Sequence, residues 1–139
     1  MFRAFPTILI EVLLYNVVAF GGLASGHPDI QGLLAQNFDL KMVSGDVWKI
    51  GLGDMFVTLA LLMLFVEVIK ASRASPREIV NHALSLLTFI GALAEFILLK
   101  GFATSIFFFI TAMCLFDAVA GYGIARVAAR QAAPVALPE

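Results

Sequence analysis

The sequence predicts an all-α protein, an integral membrane four-helix bundle with an interfacial outer loop between its first and second helices. Three observations predict it. Hydrophobic residues make up 61% of the 139 positions and charged residues only 14%, whereas soluble domains are about 45–50% apolar and about 25% charged. The apolar residues gather into four runs, residues 5–23, 50–70, 77–99 and 102–126. Each run is close to the ~20 residues with which a helix crosses a ~30 Å hydrocarbon layer. Together they define one transmembrane domain over residues 1–130, followed by an Ala/Pro-rich stretch, 131–139, that reads as a flexible cytoplasmic tail.

The first run follows Arg3 and ends near the small residues Gly22 and Ala24, an outline shared with signal peptides. It is longer than a 7–15-residue signal core and contains Glu11 and Asn16, so a retained anchor helix is expected. In the loop of residues 24–49, Pro28 opens a short helix whose Ile30, Leu33 and Leu34 share one face. That helix is expected to lie on the membrane. Beyond it, Phe38, Leu40 and Met42 alternate with Asp39, Lys41 and Val43 before the turn residues Ser44-Gly45-Asp46. The pattern predicts an extended, hairpin-like piece ending at Trp48, an interface anchor of the kind favoured at the water–lipid boundary. The third run starts with Ser75 as N-cap, Pro76 in the first helical position and Glu78 closing a capping box. The joint at Lys100-Gly101 is so short that the third and fourth runs must be antiparallel neighbours.

Lysine and arginine bias sets the orientation. With the N-terminus inside, the inner segments hold Arg3, Lys70, Arg73, Arg77, Arg126 and Arg130, and the outer ones Lys41, Lys49 and Lys100. Both termini are therefore expected in the cytoplasm.

Every run carries a carboxylate: Glu11, Asp54, Glu67, Glu95 and Asp117. A bare charge in hydrocarbon costs several kcal/mol, so these groups must face the bundle interior, a partner, water or the interface. With His82 they form the candidate intramembrane polar set, a possible proton pathway. At 1.5 Å per residue, Glu11 and Asp117 both lie roughly 9–12 Å from the inner boundary, a matched depth at which two acids share a proton or pair with His82 or an arginine. Glu67 is three residues before Lys70 and is expected to pair with it at the interface. Glu95 is expected near Lys100 and the outer water. On the third run, Asn81, Ser85, Thr88, Ala92 and Glu95 step by four and three residues, a polar seam of the kind that packs membrane helices. On the fourth, Thr111, Cys114, Asp117 and Gly121 form a small, polar face.

Several chemistries find no support. Formal net charge is −1, without the basic excess that nucleic-acid binding needs. Cys114 is the single cysteine and has no partner for a disulfide or a zinc site, so it reads as an apolar filler. Ser85 lies one turn from His82, but no Gly-x-Ser-x-Gly turn accompanies it. The two histidines, His27 and His82, do not make a paired haem set, and no repeated carboxylate–x–x–His pattern suggests a di-metal centre. The chain is expected to be no enzyme and to hold no cofactor or metal.

The segments Met42-Val43-Ser44-Gly45-Asp46-Val47-Trp48, Leu64-Phe65-Val66-Glu67-Val68-Ile69-Lys70, Asn81-His82-Ala83-Leu84-Ser85 and Phe116-Asp117-Ala118-Val119-Ala120-Gly121 resemble small, uncharacterised four-helix proteins of the bacterial inner membrane. The resemblance covers residues 38–130. It implies the fold and no chemistry, and it draws attention to Glu67, His82 and Asp117. Two functions fit the sequence. The expected one is a non-enzymatic membrane protein that acts by helix–helix association, with itself or as an accessory subunit of a larger membrane complex. Its partners are then the lipid bilayer and those subunits. The alternative is an oligomeric proton or cation channel or transporter that uses the intramembrane carboxylates.

Overall fold

The computed structural model of the chain describes residues 5–26, 30–71 and 78–132. The elements in order are α1 (Ile8–Ala24), α2 (Ile30–Leu34), β1 (Asn37–Lys41), β2 (Val47–Gly51), α3 (Leu52–Ala71), α4 (Glu78–Leu98) and α5 (Ser105–Ala132). Three helical stretches are long and apolar enough to cross a membrane: Leu52–Ala71, Val80–Leu98 and Ser105–Gly123. The apolar helix α1 is shorter, at 17 residues. α5 is the central element. It packs against α3 on one side and α4 on the other, and α1 touches all three. Directions alternate along the chain, so the N-terminal ends of α1 and α4 and the C-terminal ends of α3 and α5 gather at one end, the Lys70 end. The hairpin lies at the other.

The radial pattern is inverted relative to a water-soluble bundle. Glu11, Glu67, Asn81, Ser85 and Asp117 are buried, while Val17, Leu62, Phe65, Leu87, Ile97, Phe116 and Val119 point outward. Large apolar surface rings the molecule while most carboxylates turn inward, a pattern that fits helices long and apolar enough to cross a membrane. Between these layers Ile8, Val12, Phe56, Ala60, Ala92, Ile110 and Cys114 fill the bundle.

The helix ends differ from the sequence expectation for local reasons. The second run was expected from residue 50, but Ile50 and Gly51 belong to β2 and α3 starts at Leu52. Asp54 bends back to accept the Gly51 N–H at 2.8 Å, the reciprocal half of a capping box. The fourth run was expected over 102–126, but α5 starts at Ser105. Thr104 Oγ1 caps it by accepting the Phe107 N–H at 3.1 Å, and the helix runs on to Ala132. Gln131 and Ala132, expected in the flexible tail, are helical. At about 42 Å, the 28-residue α5 is longer than a ~30 Å hydrocarbon layer is thick. The Ser75–Pro76 helix start, the opening at Pro28 and the tail from residue 133 lie outside the described residues.

The long loop is built as a cap. α2 seats Ile30 and Leu34 against the bundle. Ile30 packs over the turn between α4 and α5, where Gly101 has φ +91° and a Cβ would meet Ile30 Cδ1 at 2.8 Å. β1 and β2 form an antiparallel hairpin that pairs Phe38 with Ile50 and Leu40 with Trp48 on one face, and Asp39 with Lys49 on the other. Trp48 is exposed and lies within the strand rather than at its end. With Ile50 it roofs a groove of about 610 Å³ that lies between Leu14 and Val18 of α1 and Met55 and Leu59 of α3. Its lining is mostly apolar, with Asp54 and Thr58 as the polar members, and includes none of Glu11, Asn81, His82, Ser85 or Asp117.

Candidate functional site

The polar side chains inside the bundle form three tiers. The first closes the Lys70 end. Glu67 is 1% exposed, and its Oε1 accepts the Thr7 N–H, the Thr7 hydroxyl at 2.8 Å and Lys70 Nζ at 2.7 Å. Its Oε2 accepts Asn81 Nδ2 at 3.2 Å. Lys70 Nζ also donates to the Phe5 carbonyl at 2.8 Å. One carboxylate thus ties the start of α1, the end of α3 and the start of α4. The pairing with Lys70 follows from their spacing, but Glu67 is a buried junction rather than an interfacial ion pair.

The second tier is different in kind. Among the described residues, six buried side-chain atoms have no hydrogen-bond partner: both carboxylate oxygens of Glu11, Asn81 Oδ1, His82 Nε2, Ser85 Oγ and Asp117 Oδ2. All six belong to the sequence-predicted polar set or its seam. Asp117 of α5 is flanked by Ser85 and His82 of α4 and lies in the field of Glu67 and Lys70 of α3. The Ser85 hydroxyl sits beside the Asp117 carboxyl. Glu11 of α1 is wholly buried and lies in the electrostatic neighbourhood of Cys114, which is itself next to Asp117. Glu11 and Asp117, expected to meet at matched depth, are not hydrogen-bonded to each other. Each buried polar atom without a partner costs about 1–3 kcal/mol, and an internal water needs two to four such partners. This tier has the composition of a hydrated site.

The third tier lies toward the hairpin. Asn16 Nδ2 donates to Glu95 Oε2 at 2.8 Å and to the Val12 carbonyl at 3.0 Å. Glu95 is therefore half-buried against α1, not free beside Lys100, because Asn16 offers a donor inside the bundle. Tyr15 and Thr104 join hydroxyls at 2.8 Å. The Tyr15 ring packs on Phe56, Phe102 and Phe107, at centroid distances of 5.5, 5.7 and 4.6 Å. This aromatic cluster closes the bundle between the second tier and the hairpin.

The remaining candidates divide clearly. Asn81, Ser85, Thr88 and Ala92 are all buried on the inner face of α4. Thr88 bonds the Leu84 carbonyl at 2.8 Å within its own helix, so it adds bulk rather than an open polar group. Gly121 is buried against His82. Asp54 is exposed and occupied in capping α3, outside the interior set. Thr7 and Tyr15 share with Glu11 the face of the first run that the sequence marks out, but their partners Glu67 and Thr104 were not foreseen, and Thr104 and the Phe5 carbonyl were missed. Thr104 had a signal, a hydroxyl residue just before an apolar helix; the Phe5 carbonyl had none, because a backbone acceptor leaves no trace in residue type.

No group of three or more His, Cys, Asp or Glu side chains is arranged to hold a metal ion among the described residues. Comparison with known proteins returns no matching family, no matching curated protein and no matching solved structure.

Proposed function

We propose that the chain is a small multi-pass protein of the bacterial inner membrane that moves protons through the interior of its own bundle. In this reading α1 crosses with the three longer helices and completes an up-down-up-down four-helix bundle, since 17 residues lie at the lower limit for a span. The observation that carries the proposal is the concentration of unpartnered buried polar atoms on Glu11, Asn81, His82, Ser85 and Asp117. Carboxyl, imidazole and hydroxyl groups gathered in one buried tier take up and pass protons when water reaches them, whereas polar groups that serve only as packing are bonded to a partner. Their inward orientation also weakens the association reading. A seam that is already covered by its own chain does not offer itself to a partner.

Reconstitution tests the proposal. Vesicles containing the protein, with a pH-sensitive dye inside and an imposed potential, are expected to acidify faster than empty vesicles. Asp117→Asn keeps the shape and the hydrogen-bonding capacity but cannot carry a proton, and it is expected to cut that flux at least tenfold at equal protein incorporation. Wild-type vesicles no faster than empty ones would overturn the proposal.

The accessory-subunit or homo-oligomer reading retains one supporting observation. The hairpin presents Phe38, Leu40 and Met42 exposed, an apolar surface at the bundle's end. Orientation is a separate expectation. With Cys114 replaced by alanine, a cysteine at Ser44 should label from outside the cell and one at Gln131 should not. Labelling at Gln131 alone would invert the topology.

A further inference from the structure

Glycine in a helix interior is about 1 kcal/mol less favourable than alanine, so a buried one at a close contact has a structural reason. Gly121 lies well inside α5 and is buried. An added Cβ there would overlap His82 Nδ1 and Cε1. A Cβ at Gly53 would also be crowded, at 2.7 Å from the flexible end of the Ile106 side chain, whereas one at Gly91 or Gly123 would meet nothing within 4 Å. The space that a side chain would fill at 121 is occupied by the imidazole of the facing helix. That contact fixes the ring. Its Nδ1 edge lies on the α5 backbone, and its Nε2 is buried without a partner. Asp117 stands one helical turn before Gly121 on the same helix, and Ser85 one turn beyond His82 on α4.

We propose that Gly121 is a positioning residue that seats His82 beside Asp117, and that the seated His82 is the group with which Asp117 exchanges its proton. The proposal rests on the proton-moving reading above. In the step, the O–H bond of the Asp117 carboxylic acid breaks as its proton passes to a bridging water, and that water gives up a proton of its own to form an N–H bond on His82 Nε2. The water is needed because neither Asp117 Oδ2 nor His82 Nε2 has a hydrogen-bond partner among the described residues. A neutral pair becomes carboxylate and imidazolium, and the reverse transfer restores it. Water, regenerated in each transfer, is the one co-reactant. The charged and titratable groups around the pair are Glu67 and Lys70 of α3 and Cys114 of α5, which also lies in the field of Glu11 of α1 and Glu95 of α4. Lys70 is held by Glu67, which leaves His82 as the basic group beside Asp117.

The test uses the full chain in lipid vesicles with His27→Gln, which leaves His82 as the single histidine of the two. Ring nitrogen signals of labelled His82 are recorded by solid-state NMR, and proton flux is measured on the same samples. Gly121→Ala is expected to move the His82 signals and to cut flux at least tenfold. Gly91→Ala and Gly123→Ala are expected to change neither. His82→Gln should match Gly121→Ala in flux, and the double variant should be no worse than either single one. If Gly121→Ala does not fold, His82→Gln carries the test of the exchange role. Unmoved ring signals in a folded Gly121→Ala protein would overturn the seat. Flux that survives both variants would overturn the exchange role and leave the proton-moving reading intact. A wild-type protein without flux would remove that reading and the exchange role together, while moved ring signals would still support the seat.

Discussion

Glu67→Ala is expected to destabilise the protein by about 3 kcal/mol, in the range found when one partner of a buried ion pair is removed. The loss is large because four donors depend on this carboxylate: the N–H and hydroxyl of Thr7, Lys70 Nζ and Asn81 Nδ2. Lys70 is 19% exposed on its side chain and can recover some hydration, which keeps the cost at the lower end of that range. Asn81 and the Thr7 amide have no such outlet. Glu67→Gln should cost less, since one oxygen still accepts, but its amide would oppose a donor. The double variant Glu67→Ala with Lys70→Ala should fall short of the sum of the single effects, because the second change removes a cation already left alone. Reversible unfolding in mixed micelles measures all three. A Glu67→Ala change under about 0.5 kcal/mol would mean that the junction is dispensable, with α1 held at its start by packing alone.

That junction shows what the sequence could and could not disclose. Three helices long and apolar enough to cross a membrane were legible as apolar runs, because bilayer thickness sets a length and hydrocarbon a composition; the first run, expected as a fourth span, is a shorter apolar helix. The inner face of α4 was legible because Asn81, Ser85, Thr88 and Ala92 repeat at the helical period, and one face must be inside if the others are Leu, Ile and Phe. The hairpin was visible as alternation broken by Ser44-Gly45-Asp46. Pairings between helices were not legible. Asn16 with Glu95 and Tyr15 with Thr104 are separated by 79 and 89 positions, and helix rotation decides them. Asp54 was placed among intramembrane acids because it opens an apolar run; a strand ending at Gly51 turned it into a cap. Gly121 was read as part of a small-residue seam, and only coordinates show that an imidazole fills its missing side chain.

Tyr15→Ala is expected to have the second large effect, on stability and on flux together. Tyr15 is 1% exposed and contacts three phenylalanine rings. In lipid little is gained by hiding apolar surface from water, so the cost is mainly lost contact energy and an unfilled space. Removal of a buried aromatic ring costs about 3–5 kcal/mol. Tyr15→Phe isolates the hydroxyl and should cost about 1 kcal/mol, because Thr104 keeps its other bond, to the Phe107 N–H. The functional consequence follows from position. Tyr15 lies one turn beyond Glu11 on the buried face of α1, where it separates the unpartnered polar tier from the hairpin end. Its removal should let water past the aromatic cluster and raise proton leak in vesicles above wild type for each folded molecule. Tyr15→Phe, which preserves the plug, should not. Adding Asp117→Asn to Tyr15→Ala should bring the leak back toward the level of empty vesicles if both groups lie on one route. A leak that persists in the double variant would place the water path beside Asp117 rather than through it, and Tyr15 would then be a packing residue alone.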